Sequence, residues 1–245
     1  NVNQADDYGA TALMRAAESG HLDVVSRLID AGANVNLANN NGETALLRAA
    51  IDGRLEIVNN LIEAGADVDK AKNSGYTPLM FAAQFGHLDI VKRLLEAGAN
   101  VDQADINGST ALIAATQKGH LDIATKLIKA GADVNHANKY GKRALSIAAR
   151  DGHLDIVTKL IEAGADINYA DKYGMTALMI AADLDEQDIV IKLIKLGADV
   201  NYTNEHGVTA LMVATQQGRL EIVTKLIELG ADVNYTNEHG VTALI

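Results

Sequence analysis

The sequence predicts an all-α chain, a solenoid of stacked helix–turn–helix repeats, and three observations lead there. Gly9, Gly42, Gly75, Gly108, Gly141, Gly174, Gly207 and Gly240 recur every 33 residues along a chain of 245. Two short stretches with apolar residues at helical spacing follow each of the first seven, parted by a second glycine in every repeat but one. The first stretch opens on threonine, again in every repeat but one, and a threonine hydroxyl caps a helix N-terminus. A unit of this size cannot bury its apolar face alone, so it stacks on its neighbours.

The third repeat shows the elements in order. Thr77 caps the first helix, and Pro78 takes its first position, where a missing N–H costs nothing. Ala82 and Ala83 are small enough to let a second helix approach. Gly86 ends the first helix because glycine takes the left-handed C-cap conformation without strain. Leu88, Val91, Leu94 and Leu95 then line one face of a second helix. Asp89 lies in its first turn, where the helix dipole favours negative charge, and Gly98 closes it.

Residues 1–5 read as the tail of an earlier repeat, and the first full hairpin runs from Thr11 to Ala33. Its first helix carries Leu13, Met14, Ala16 and Ala17, its second Leu22, Val25, Leu28 and Ile29. Arg15 and Arg48 hold one position in successive repeats, where Phe81 follows in the third. The two arginines are expected as neighbours, either extending to solvent over their apolar stems or reading an anion as a pair. Arg143 replaces the capping threonine of the fifth repeat, an expected loss of about 0.5–2 kcal/mol. In the sixth, Asp185 replaces the separating glycine and Gln187 the outer leucine. Losing that leucine is expected to remove ~1.5–3 kcal/mol of burial and to make this the loosest internal repeat. Residues 196–212 and 229–245 are identical except at the last position, which implies duplication. Val2 and the closing Val241-Thr242-Ala243-Leu244-Ile245 are not polar caps, so the array of residues 1–245 is expected to belong to a longer one.

The net charge of −11 argues against general nucleic-acid binding, which needs a basic surface. No cysteine is present, which excludes disulfides and thiolate metal sites and fits a reducing compartment. No apolar run approaches membrane-spanning length. A His-Leu-Asp pattern recurs at His21, His87, His120 and His153, once per repeat and without a nucleophile beside it, so it reads as a helix start. Asp183, Asp185, Glu186 and Asp188 lack the glycine and oxygen spacing of a calcium loop. The expectation is no enzyme, no cofactor and no metal. Sequons at Asn107, Asn201 and Asn234 read as chance matches, the last two at a repeating Val-Asn position where the backbone packs.

Thr77-Pro78-Leu79, Gly86-His87-Leu88-Asp89-Ile90-Val91 and Gly98-Ala99-Asn100-Val101-Asp102, set in a period of 33, resemble the ankyrin repeat. The resemblance covers the whole chain as seven full repeats with partial ones at both ends. It implies linking segments that project as β-turn fingers along a concave face, and a scaffold that binds a partner protein there. All seven tyrosines fall in linking segments, and both phenylalanines on the inner helix of repeat three. Aromatic side chains bring large contact area at low entropy cost. Tyr8, Arg15, Arg48, Tyr76, Phe81, Phe85, Lys139, Tyr140, Lys142, Arg143, Tyr169, Tyr173 and Tyr202 are the candidate contact residues. Tyr169, Tyr202 and Tyr235 share one repeat position and are as readily a stacking ladder. Lys139, Lys142 and Arg143 read as a basic cluster beside Tyr140 and Tyr173, drawing an acidic or mixed partner across repeats three to six. The expected protein is a monomer in the cytoplasm. The alternative is the targeting array of a larger protein such as a secreted bacterial effector, then in the host cytoplasm; frequent Asn, Lys and Ile lend that weak support.

Overall fold

A computed structural model describes residues 1–237 together with Gly240 and Thr242. Among the described residues there are fourteen helices and no strand, only an isolated antiparallel bridge between Ala5 and Thr11. The chain divides into two compact bodies, residues 1–132 and 133–245.

The N-terminal body holds four helix pairs. The inner helices are α1 (Ala12–Ser19), α3 (Ala45–Ile51), α5 (Pro78–Phe85) and α7 (Ala111–Gln117). The outer helices are α2 (Leu22–Asp30), α4 (Leu55–Glu63), α6 (Leu88–Glu96) and α8 (Leu121–Lys129). Each inner helix packs on its outer partner and on the next inner helix, and the outer helices form a second row. The C-terminal body repeats this with three pairs. Its inner helices are α9 (Ala144–Arg150), α11 (Ala177–Asp183) and α13 (Ala210–Gln216), its outer ones α10 (Leu154–Glu162), α12 (Gln187–Lys195) and α14 (Leu220–Glu228).

None of these helices is longer than nine residues, too short to persist alone in water, so packing holds them. Leu79, Met80, Ala82 and Ala83 of α5 are buried, as are Ile90, Val91 and Leu94 of α6. Here the structure corrects the sequence reading. Leu88 and Leu95 are only half-buried, and the equivalent Leu22 and Leu220 are exposed. The outer helix turns its second, third and sixth following positions inward, not its first residue. The cost assigned to Gln187 was therefore too high, because that site is half-buried throughout the interior repeats.

Six threonines cap inner helices as expected; Thr77 Oγ1 accepts the Met80 N–H at 3.2 Å. Arg143 offers no acceptor, so the Ser146 N–H has no side-chain cap, and this repeat makes the opposite bond. Ser146 stands where the other repeats carry Met, Leu or Ile, and its Oγ accepts the Arg143 N–H at 3.2 Å.

Polar bonds join consecutive repeats at three levels. At the base, Asn36 Oδ1 accepts the Asp67 N–H at 2.7 Å, and Asn168 Oδ1 the Asp199 N–H at 2.9 Å. At the helix turns, His87 Nε2 meets the Ile51 carbonyl at 3.0 Å and His120 Nε2 that of Gln84 at 3.1 Å. Glycine makes room for that ring: a Cβ on Gly53 would lie 2.7 Å from His87 Cε1. In the sixth repeat Glu186 takes the histidine position, and a carboxylate cannot donate to the carbonyl end of α9. At the fingers of the N-terminal body, Asn40 N–H donates to Tyr8 O at 3.0 Å and Asn73 N–H to Asn41 O at 2.9 Å.

Candidate interaction face

Six of the fingers are each shaped by one side chain. Asp6 Oδ1 accepts the N–H groups of Tyr8 and Ala10, both at 2.9 Å, and Asn39, Asp105, Asn138, Asp171 and Asn204 do the same in their fingers. These Asx turns place the intervening side chain at the tip, which is why Tyr8, Tyr140 and Tyr173 are exposed.

Arg15 and Arg48 are neighbours, both reaching Glu18, at 3.5 and 2.9 Å. Arg15 extends to solvent, with 54% of its side chain exposed, whereas Arg48 is half-buried. Arg15 also meets Asp6 at 3.0 Å and Arg48 meets Glu43 at 2.7 Å, so three carboxylates of the same body take up both charges. The Asp6 carboxyl is held below its ordinary range, first by the Ala10 N–H and then by Arg15.

Repeat three gathers the aromatic residues. Tyr76 and Phe81 lie with ring centroids 4.9 Å apart, Phe81 and Phe85 6.1 Å apart in parallel planes, and Phe85 and His87 6.4 Å apart. Burial, then the Asp105 carboxylate, push the Tyr76 phenol up. Phe81 is buried and forms the floor, while Phe85, about half exposed, presents the ribbon to solvent. Sequence reasoning missed Lys72. It stands where other fingers carry Asn or Asp and so forms no Asx turn. Its ammonium instead lies 5.1 Å from the Phe81 ring and 5.8 Å from that of Tyr76.

The C-terminal body splits the expected basic cluster. Residue 143 has extended backbone, φ −103° and ψ 164°, so the side chains of Lys142 and Arg143 leave on opposite sides. Arg143 turns to Tyr169, Asn135 and Asp166. Lys142 lines a groove of ≈ 260 Å³ with Tyr173 and the inner helices α9 and α11. Lys139 is exposed, and its carbonyl accepts the Lys172 ammonium. Tyr202 is half-buried, and no ring contact joins it to Tyr169 or Tyr235.

Among the described residues no cluster of three His, Cys, Asp or Glu side chains is placed to hold a metal ion. No helix among them is long and apolar enough to cross a membrane. His87 and His120 each spend a ring nitrogen on a backbone carbonyl, a structural task.

A family model for ankyrin repeats in three copies matches residues 1–72, 64–138, 127–204 and 145–237. A search of curated proteins returned no match. Among solved structures, the crystal structure of the human ASB11 ankyrin repeat domain is similar at 27% identity and a TM-score of 0.81, covering 91% of this chain and 99% of that one. With its period, paired helices and capped fingers, the chain belongs to the ankyrin-repeat family.

Proposed function

We propose that this protein is a protein-interaction scaffold whose fingers and inner helices form the contact surface. One observation carries the reading. The exposed aromatic residues, Tyr8, Phe85, Tyr140 and Tyr173, all lie on fingers or at the end of an inner helix, while the outer helices expose only aliphatic and polar groups. Such side chains cost free energy in water and return it on contact, and buried aromatic anchors dominate interface energetics. The outer row bears paired charges instead, such as Lys92 with Asp89 at 2.8 Å and Lys159 with Glu162 at 2.8 Å.

The test is capture of a protein partner by the intact chain and by variants of both rows. Phe85→Ser and Tyr140→Ala are expected to weaken capture at least tenfold and Lys159→Glu to leave it unchanged. The reverse pattern would place the contact surface on the outer helices.

A further inference from the structure

Fingers five and six differ from the others described. Their tips read Lys139-Tyr140-Gly141 and Lys172-Tyr173-Gly174, whereas the remaining tips carry Asp7-Tyr8, Asn40-Asn41, Asn73-Ser74, Ile106-Asn107 and Glu205-His206. With Lys142 they put three lysines on two adjacent fingers of a chain whose net charge is −11. Among the described residues no carboxylate pairs with Lys139 or Lys142. The Lys172 ammonium rests on a neutral carbonyl, that of Lys139. The nearby Asp171 has one oxygen committed to the N–H groups of Tyr173 and Met175, at 2.9 and 3.1 Å.

Below these tips lies the groove of ≈ 260 Å³, floored by Ile147, Met175 and Ile180 and closed at its far end by Leu184, which is 44% exposed. That volume falls short of the ~300–1,000 Å³ that drug-sized ligands occupy. It suits one or two side chains of a longer chain. Of its charged lining, Lys142 and Asp171 lie toward the fingers and Arg150 and Asp183 toward the helix ends. Arg150 is neutralised by Asp151 at 2.7 and 2.8 Å, so the cation left in the lining, Lys142, stands at the finger end. Asp183 stands at the helix end, one oxygen accepting from Gln217 at 2.8 Å. A carboxylate is attracted by Lys142 at one end and repelled by Asp183 at the other.

We propose that this groove receives an extended peptide segment in which acidic residues adjoin an aliphatic anchor. The carboxylates face Lys139, Lys142 and Lys172, and the anchor packs on Ile147, Met175, Ile180 and Leu184 beside the Tyr173 ring. The inference rests on the finger and inner-helix face being the contact surface, and it names the chemistry of one part of that face.

The probe is a fluorescein-labelled ten-residue peptide with three glutamates adjoining two leucines in a Gly-Ser background, made in both orders and titrated against the full chain by anisotropy. One order is expected to bind, at least tenfold tighter than peptides with lysine for glutamate or serine for leucine. Lys142→Glu and Tyr173→Ala, each shown folded by circular dichroism, are expected to weaken it at least tenfold, and Lys142→Gln by less. Lys159→Glu on the outer helix α10 leaves it unchanged. The proposal is overturned if neither order binds at millimolar concentration, if the lysine peptide binds as well, if both folded variants bind normally, or if a single-stranded oligonucleotide displaces the peptide. Should the peptide fail while Phe85→Ser still abolishes partner capture, the groove assignment falls and the scaffold reading stands.

Discussion

The guanidinium carbon of Arg143 lies 3.4 Å from the centroid of the Tyr169 ring. The same group reaches Asn135 Oδ1 at 3.3 Å and Asp166 Oδ2 at 3.8 Å. Two residues that look like separate contact anchors are thus each other's partners, and Arg143 trades a helix cap for a tie between the start of α9 and the segment after α10. A double-mutant cycle with Arg143→Ala and Tyr169→Ala is expected to give a coupling of about 0.5–2 kcal/mol in denaturant unfolding. Additive effects would show that the stack contributes nothing.

Lys72 permits a similar trade to be measured. Lys72→Asn restores the acceptor that the other fingers use for two N–H groups, worth about 0.5–1.5 kcal/mol each, and removes a cation over Phe81 worth about 0.5–2 kcal/mol. The variant is expected to be more stable than the parent by up to ~1 kcal/mol. A clear destabilisation would mean the cation–ring contact outweighs the turn.

The sixth repeat is expected to open first in the C-terminal body. Asp185 sits at φ 69°, the sole non-glycine residue with positive φ among those described, and Glu186 lacks the donor of its histidine counterparts. Arg219 mends part of this, its Nη2 donating to the Asp183 carbonyl at 3.2 Å and its Nη1 lying 3.8 Å from Asp185. Asp185→Gly should stabilise by roughly 0.5–1 kcal/mol, the relief of left-handed strain exceeding an exposed ion pair. Hydrogen exchange at residues 183–188 should be faster than at 84–89. Equal rates would refute the local weakness.

Tyr76 gives a pH dependence with a defined sign. Its phenol is raised above the ordinary 10.0 because burial disfavours the phenolate and Asp105 repels it. The folded state therefore prefers the neutral form. That contribution is complete below the ordinary value and is lost as pH rises through the folded one. Melting temperature should fall more steeply above about pH 10 in the parent than in Tyr76→Phe. Identical alkaline profiles would exclude the effect.

Much of the fold was legible because it is written locally. A threonine hydroxyl meets an N–H three residues on, and a period of 33 shows itself in one chain. What escaped depends on the repeat next door. The ring of His87 fits only over Gly53, Arg93 Nε finds Asn59 at 3.0 Å, and Arg143 turns away from Lys142 because extended backbone alternates its side chains. Among the candidate contact residues, the sequence singled out tyrosines and Phe85 that the structure leaves exposed. It did not separate them from Phe81, which is covered, or from Arg15 and Arg48, whose charges are taken up at Glu18 and its neighbours.

Asn201, in one of the three sequons, ties two repeats together through its side chain. Its Oδ1 accepts the Asp232 N–H at 2.8 Å and its Nδ2 donates to the Gly230 carbonyl at 3.1 Å. Asn201→Asp, which keeps the acceptor and loses the donor, is expected to cost about 0.5–1.5 kcal/mol, and an unchanged melting curve would show the bond to be idle.

The ladder at the base is also a counting device. Asn3, Asn36, Asp69, Asn135, Asn168 and Asn201 each accept from an amide 31 residues ahead. Insertion or loss of a single residue within that span shifts the amide off its acceptor and uncouples two repeats. Copying a full period restores every bond, because the new segment brings both a donor and an acceptor in phase. Length here is quantised: a change of 33 residues keeps the ladder in phase, and a change of one residue within a span does not. The identity of residues 196–211 with 229–244 is the mark of one such quantum added.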